Sequence, residues 1–341
     1  MKKLLLSLSI VLVGVVFASL KPSVSVVIIG GGPAGLSTAI EARQAGACVT
    51  VVEKRSVYER PQRIFLFEHS LGLLEKWEVE SPELIKVKLG EERIGIVRIS
   101  ALEEALLKRA EKLGVFFIQE EFVGLSQQER SIILGSGGSL SYDILVAADG
   151  VHSQVRQALG IEVDLISQGK AGAALIPSSE EEFSLIEVSS DIQHGTSFIK
   201  KFYFPGMHFM FLQGPFSATQ EDFITLCKAC GWDSQAEQIA AGSARLLLDV
   251  DVYLQKAKNF SLQNQGALLV GDAAGTGTFF RGMGANHALK TAEIAGHFFR
   301  SNNFESFEAE MDKSTSALIE DSAFLFLKDY ATCGTNSKIS L

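Results

Sequence analysis

Cysteine is scarce in this chain and clusters of basic residues are missing. The four cysteines, Cys48, Cys227, Cys230 and Cys333, are too few and too unevenly spaced for a disulfide framework. Cys227 and Cys230 form one CxxC in ITLCKACGW, which can be a redox pair or half a zinc site. No second pair and no nearby histidine supply further ligands, so no metal is expected. Packing at i and i+3 of an amphipathic helix is the commoner use of such a pair. Lysine and arginine number 31 against 40 acids, a formal net charge of −9, and they lie scattered. A nucleic-acid surface needs them clustered, so no nucleic acid is expected as a partner. A P-loop, an HExxH and a Ser-His-Asp arrangement are also missing, which leaves kinase and hydrolase readings unsupported. Apolar residues, by contrast, make up 47% of the 341 positions and charged ones 21%. That suffices for a large core, in two domains or in one domain with an insertion.

The first residues, MKKLLLSLSIVLVGVVFASLK, place Lys2 and Lys3 before an uncharged apolar run. Residues 1–22 read as a signal peptide or a short membrane anchor, making a membrane the expected association of this segment. The lysines favour an inside amino terminus, with the remainder outside the cytoplasm.

Residues 25–29 form a continuous apolar run that ends in glycines, as a parallel strand buried on both faces does. Residues 34–45 then read as a helix closed by Gly46, and residues 48–52 as a second buried strand. This is a βαβ unit. Residues 55–89 are mixed, with a helix over 70–79; an amphipathic helix is expected over 99–113 and a strand over 115–119. SIILGSGGSLSYDILVAADG reads as a hairpin turning at Gly137-Gly138 and leading into another buried strand. From 165 to 262 short strand-like runs alternate around a helix near 221–230, the pattern of an antiparallel sheet inserted into an α/β domain. A strand and glycine turn return at 266–275, followed by helices over 285–299 and 304–328.

The chemistry lies in the turns. Gly30, Gly32 and Gly35 fill GxGxxG in VVIIGGGPAGLSTAI. They allow a tight turn, a close approach to a pyrophosphate, and close packing of helix on strand. Together with Ala34 at the helix start they form a dinucleotide site, because free N–H groups and the helix dipole favour phosphate there. Glu53, ending the second strand, is placed to accept hydrogen bonds from a ribose diol. The turn alone does not separate NAD from FAD.

Two later stretches do. YDILVAADGVHSQVR holds Asp149-Gly150, and GALLVGDAAGTGTFFRGMGAN holds Gly271-Asp272 before a glycine turn and a helix. With these three motifs in order, residues 24–300 resemble the FAD-dependent aromatic hydroxylases, the class A flavoprotein monooxygenases. The resemblance implies a FAD-binding Rossmann-like α/β domain carrying an inserted antiparallel β-sheet as substrate domain. The segments would then be a leader (1–22), FAD-binding parts (23–164 and 263–300), the substrate sheet (165–262), and a C-terminal helix and tail (301–341).

The resemblance also implies roles. Glu53 would bind the adenosine ribose, Arg98 would lie near the pyrophosphate, and Val123 would offer backbone to the adenine. Asp149 would support the pyrophosphate and Asp272 would bond the ribityl chain. Gly284, Ala285 and Asn286 would present N–H groups to the flavin edge. EKRSVYERPQR and EFVGL resemble segments of the MICAL monooxygenases, making Lys54, Arg55 and Arg63 candidates near the cofactor or a nicotinamide; solvated surface charge is the alternative reading of each.

The chain departs from that pattern around the second turn. Gly275 stands where a histidine is usual, Phe279 where a proline is, and Arg281 where a small residue is. Arg281, His287 and His208 are the candidates on the substrate side, His287 against a capping or packing role in its helix and His208 as a residue that could line the substrate pocket. His152, inside DGVHS, reads as structural or as a nicotinamide contact. The implied function is a monooxygenase that reduces FAD with NADPH or NADH, forms a C4a-hydroperoxide with molecular oxygen, and oxygenates a small apolar or aromatic substrate. The alternatives are a flavin reductase of the geranylgeranyl-reductase-like branch, which shares GDAAG, and a MICAL-like flavin-bearing interaction protein. Nicotinamide chemistry suits the cytoplasmic face, whereas the leader points to export.

Overall fold

The computed structural model describes residues 23–89, 91–126, 129–179, 186–191, 197–204, 207–214, 219–277, 283–332 and 337–339. The leader reading at 1–22, Phe279 and the candidate Arg281 lie outside the described residues. Among the described residues no helix is long and apolar enough to cross a membrane.

The first βαβ unit is β1 (Ser25–Ile29), α1 (Pro33–Gln44) and β2 (Cys48–Val52). Pro33 suits the first turn of α1, where its missing N–H costs nothing. Gly46, at φ +91°, turns the chain out of the helix in a left-handed conformation. The chain continues through β3 (Arg63–Leu66), α2 (Glu68–Lys76), β4 (Ile85–Leu89), β5 (Glu92–Arg98) and α3 (Ile99–Lys112). The strands of the mixed stretch, β3 and β4, pair antiparallel on either side of β5 as a three-stranded sheet. They are short and their partner lies downstream, so no local alternation marks them.

The main sheet runs in the order Ser261–Leu262, Ala267–Leu269, Ile144–Ala147, β1, β2, Phe116–Ile118. All but the first of these strands are parallel neighbours. Val26, Ile28, Val51, Leu145, Val146 and Leu268 are buried at 1% exposure or less, as expected for strands covered on both faces. Ile29 pairs with both Val52 and Ala147, and Ala147 pairs with Leu269. Four strands therefore end level, and the loops after them open on one edge. In open parallel sheets that edge is where ligands bind.

A seven-stranded antiparallel sheet holds Val163–Pro177, Ile186–Asp191, Ser197–Phe204, Met207–Gly214 and Arg245–Ala257. Gly275–Thr276 and Ser337–Ile339 complete its edges, so it also draws on chain outside the 165–262 segment. The helices Gln220–Ala229 and Asp233–Ala240 cover one face. Cys227 and Trp232 pack there against Ala174, Ile176, Met210 and Leu212, and Cys230 packs at the margin of the same cluster. The opposite face sets Ala173, Leu175 and Phe209 against Ile96 of β5.

Candidate functional site

The level strand ends, β3 and the antiparallel sheet enclose one cavity of about 730 Å³, within the range of cofactor and ligand sites. The three glycines of the turn beside it answer to different constraints. Gly30 has φ +106°, and a Cβ there would lie 2.3 Å from the Ala148 carbonyl oxygen. A Cβ on Gly35 would lie 1.9 Å from the Gly30 oxygen. Packing within the protein therefore explains both.

Gly32 is different. Its φ of −79° suits any residue, and a Cβ would meet nothing closer than Arg60 at 3.8 Å and Glu103 at 3.9 Å. A Cβ on Gly284 would meet only Asp272, also at 3.8 Å. Each glycine stands at the start of a helix, α1 or Met283–Ser301, with no acid in its first turn. Both face the cavity. Only an occupant of the cavity needs these positions bare, and the N–H groups there favour negative charge. Both helix starts thus fit an anionic ligand group, as FAD binding requires.

Glu53 follows β2 and accepts from the Gly31 N–H at 2.7 Å, and from the Arg55 N–H at 2.8 Å and its guanidinium at 2.9 Å. Burial alone would raise its pKa, but the bonds from Arg55 and Gly31 outweigh that and hold it below the usual carboxylate range. The Tyr58 hydroxyl donates to the Gly31 carbonyl at 2.8 Å. Burial, and then Glu53 and Glu103, push its pKa up to about 12.

Arg60 pairs with Glu103 of α3, whose side chain is fully buried and whose second oxygen has no partner. Arg60 lines the cavity beside Gly32, and its charge reaches Asp272. It is the cation that the sequence reading missed. The signal lay in Glu103, a charge on the apolar stripe of α3 among Leu102, Leu106 and Ala110, because a buried acid needs a cation nearby. Arg98, which the resemblance places near the pyrophosphate, pairs with Glu83 and is not among the lining residues. It stands opposite Arg63 on the neighbouring strand, and the charge of Glu83 acts on both arginines while its carboxylate bonds Arg98.

Asp149 lines the cavity and accepts from the Ser153 hydroxyl and from the Val155 N–H at 3.1 Å, closing the start of the helix Gln154–Ala158. Burial raises its pKa, with the Ser153 and Val155 bonds opposing. Asp272 also faces the cavity. Its side chain is exposed to the cavity, and the protein around it pushes its pKa up to about 6 against the pull of Arg60. It stands where an acceptor for a hydroxyl is wanted.

Lys54, Arg55, Arg63 and Ala34 line the same cavity. Lys54 reaches Glu121 at 3.6 Å, and burial lowers the pKa of Arg63. Ala285 is on the wall as well. Val123 is not among the lining residues, whereas Phe122 and Glu121 are. The strand register shifts between Phe122 and Gly124, so Val123 is a bulge residue and its backbone lacks a regular ladder partner. The Asn286 side chain ties the long helix to β3 and α2: it accepts from the Phe67 N–H at 3.0 Å and the Ser70 hydroxyl at 2.6 Å, and donates to the Phe65 carbonyl at 2.8 Å.

Two histidine candidates are not brought to the cavity. His208 neighbours Phe209 on one strand, and alternation turns it to the helix-covered face, where Nδ1 lies 3.3 Å from Gln235. His287 is buried on Met283–Ser301, its Nε2 has no hydrogen-bond partner, and burial drops its pKa to about 4. His152 does line the cavity, edge-on to Tyr253 with ring centroids 5.2 Å apart. The antiparallel sheet adds an apolar stretch of wall: Gly172, Ala173, Phe209, Leu247 and Val250.

Residues 24–98 match the profile of the pyridine nucleotide-disulphide oxidoreductase family. A digeranylgeranylglycerophospholipid reductase of Methanococcoides burtonii is 27% identical over 173 residues, 43% of this chain and 42% of the reductase. The [F-actin]-monooxygenase MICAL2 of Rattus norvegicus is 29% identical over 192 residues, 52% of this chain and 10% of that protein. The chain thus spans less than half the length of these relatives. Among solved structures, Pseudomonas aeruginosa PqsL in complex with 2-aminobenzoylacetate superposes with a TM-score of 0.69 at 17% identity, covering 90% of this chain and 96% of PqsL. The tetrameric 2-methyl-3-hydroxypyridine-5-carboxylic acid oxygenase gives 0.64 at 19% identity, covering 92% and 94%. The fold is that of FAD-dependent oxidoreductases: a Rossmann-like FAD domain joined to an antiparallel sheet, as the motifs imply.

Proposed function

We propose that the protein is a FAD-dependent monooxygenase that takes electrons from NADPH or NADH and oxygenates a small apolar or aromatic acceptor with molecular oxygen. The observation that carries this reading is the continuity of one cavity from Gly32, past Asp272 and Gly284, to the apolar wall of Phe209, Leu247 and Val250. FAD, when bound, supplies hydride acceptance and oxygen activation. The chain's own residues bind, orient and shield. The start of α1 receives the pyrophosphate, with Arg60 held over it by Glu103. Glu53 accepts from Gly31 and from three Arg55 N–H groups, two on each oxygen, so a ribose diol binds it by displacing the Arg55 guanidinium. Asp272 accepts from a ribityl hydroxyl. The N–H groups at Gly284 and Ala285 favour negative charge at the ring edge facing them. The apolar wall keeps water from the acceptor. The sequence holds no second nucleotide fingerprint, so the nicotinamide docks from the surface, where His152 and Lys54 stand at the cavity.

The test is the visible spectrum of the purified full chain, followed by anaerobic NADPH or NADH and then oxygen uptake with aromatic acceptors. Bleaching of a flavin band, and oxygen use matched by oxygenated product, is the expected result. A band that neither nicotinamide bleaches overturns the donor, and a protein that holds no flavin after incubation with FAD overturns the reading. The likeness to the Methanococcoides burtonii reductase favours a second reading, reduction of an isoprenoid double bond. Turnover that proceeds without oxygen would select it.

A further inference from the structure

The antiparallel sheet builds its part of the cavity wall through an irregularity. On Val163–Pro177, Ala173 and Leu175 share the cavity face with Phe209 of the neighbouring strand, while Ala174 and Ile176 share the helix face with Met210. The other neighbour, Arg245–Ala257, pairs Leu247 with Ala173 and Leu246 with Ala174, so Leu247 faces the cavity. Val250 pairs with Ala171 and lines the cavity too. Leu247 and Val250 are three residues apart, and in an unbroken strand they would face opposite sides.

The register explains how both face inward. Between Ala171 and Ala173 one strand advances two residues while its partner advances three, from Val250 to Leu247. The extra residue makes a bulge at Leu248 and Asp249, and Asp249 takes a left-handed φ of +58°. Aspartate tolerates that conformation better than most residues, and β-branched residues tolerate it worst. Lys170, paired opposite Asp251, reaches both acids of the turn: its Nζ is 2.8 Å from Asp251 Oδ1 and 3.3 Å from Asp249 Oδ1. It thus straps the bulge at its acidic residues.

We propose that Asp249, strapped by Lys170, is the specificity-setting position of the acceptor end, because its bulge turns both Leu247 and Val250 onto the cavity wall. Without the bulge, Leu248 would take the place of Leu247 opposite Ala173, and the wall would change shape. Lys170 and Asp249 are positioning residues, and Leu247 and Val250 meet the acceptor. This inference rests on the reading that the cavity holds FAD next to an acceptor.

The test uses FAD-loaded full-length protein and the fluorescence of the bound flavin, which a tryptophan facing the same cavity quenches. Leu247→Trp and Leu248→Trp are each made in the otherwise unchanged protein, and again with Asp249→Gly, Asp249→Ile, Lys170→Arg or Lys170→Met. Leu247→Trp is expected to lose more fluorescence than Leu248→Trp. Asp249→Gly and Lys170→Arg should preserve that order, Asp249→Ile should abolish or reverse it, and Lys170→Met should narrow it. Equal quenching by the two tryptophans in the otherwise unchanged protein overturns the proposal. So does an order that survives both Asp249→Ile and Lys170→Met. Flavin stoichiometry reports folding: if Asp249→Ile loses FAD, the Lys170→Met and Lys170→Arg comparison decides. A parent protein that binds no FAD sinks the functional reading and this inference with it.

Discussion

Arg156 donates one guanidinium N–H to the Ala273 carbonyl at 2.9 Å and another to the Val151 carbonyl at 3.0 Å. One buried side chain thus joins the loop after Asp149 to the loop around Asp272, although the bonded residues Arg156 and Ala273 are 117 positions apart. The Gln255 amide also donates to Val151 at 3.0 Å, linking the antiparallel sheet to the same point. Arg156→Met should leave the Ala273 carbonyl without this donor at about 1–3 kcal/mol, the usual cost of a stranded buried group. Urea unfolding would measure it, and FAD retention should fall in parallel because both loops wall the cavity. Unchanged stability would mean that water replaces the guanidinium.

Gly32→Ala should separate folding from binding. The backbone there is ordinary, and the added methyl meets the protein only at van der Waals distance. Melting of the flavin-free protein should therefore stay put or rise slightly, since alanine restricts the unfolded chain. FAD affinity should drop by about tenfold or more, equivalent to about 1.4 kcal/mol of lost approach. Gly35→Ala, by contrast, should destabilise the flavin-free protein itself. Equal FAD affinity in Gly32→Ala and the parent would show that no ligand crosses the turn there.

Glu41 makes a purely structural knot on α1. Its fully buried carboxylate accepts from Lys76 at 2.7 Å, the Trp77 indole at 2.8 Å and Arg300 at 2.8 Å. Burial alone would raise its pKa, but these donors outweigh that and lower it. A lowered carboxyl contributes stability above its unfolded pKa and loses it as pH falls through the folded one. Lys76 and Arg300 are nearly half exposed and can return to water, so the main loss in Glu41→Leu is the stranded indole, about 1–3 kcal/mol. Chemical denaturation should show that cost at pH 7, and the difference should narrow in acid as the parent loses its charge-dependent part. A constant difference across pH would contradict the assignment.

How far the sequence carries depends on the physics behind each residue. The turn around Gly30, the Asp149-Gly150 pair and the Gly271-Asp272 pair are readable because few residues can serve there: Gly271, for example, has φ +57° and would put a Cβ 2.6 Å from Ala34. Arginines carry no such mark. Arg60, Arg63 and Arg98 look alike along the chain; the buried Glu103 holds Arg60 at the cavity and Glu83 holds Arg98, and neither acid is near its arginine in sequence. His208 is decided by one step of alternation on a strand whose cover is a helix pair downstream. The bulge at Asp249 depends on register against a strand some eighty residues earlier, which no local pattern encodes.

Asp272 should give the flavin-free protein a particular pH dependence. Its pKa is raised to about 6 in the folded state, against about 3.9 for an unfolded aspartate. The folded protein then holds more protons between those values, so stability falls as pH rises from about 4 to about 6. Asp272 is exposed to the cavity, which moderates the size of the effect, so the direction is the prediction. Asp272→Asn should remove that slope and stabilise the flavin-free protein at pH 7 while weakening FAD binding. A variant with the parent slope would assign the titration to another group.

His287 should act with the opposite sign in an overlapping window. Its pKa is lowered to about 4 in the folded state by burial, against about 6.5 unfolded. The unfolded chain therefore holds the extra proton between those values, and stability is lost as pH falls from about 6.5 towards 4. At pH 5 the loss attributable to this one group is about 2 kcal/mol. His287→Met, apolar and of similar size, should recover most of that loss at pH 5 and change little at pH 7.5. The same variant tests chemistry, because the imidazole stands off the cavity with Nε2 unpartnered. Flavin reduction by NADPH should proceed at the parent rate, and the pH profile of turnover should keep its shape. If turnover instead collapses while melting and FAD stoichiometry hold, the imidazole reaches the acceptor in the working enzyme and its burial here belongs to the flavin-free state alone.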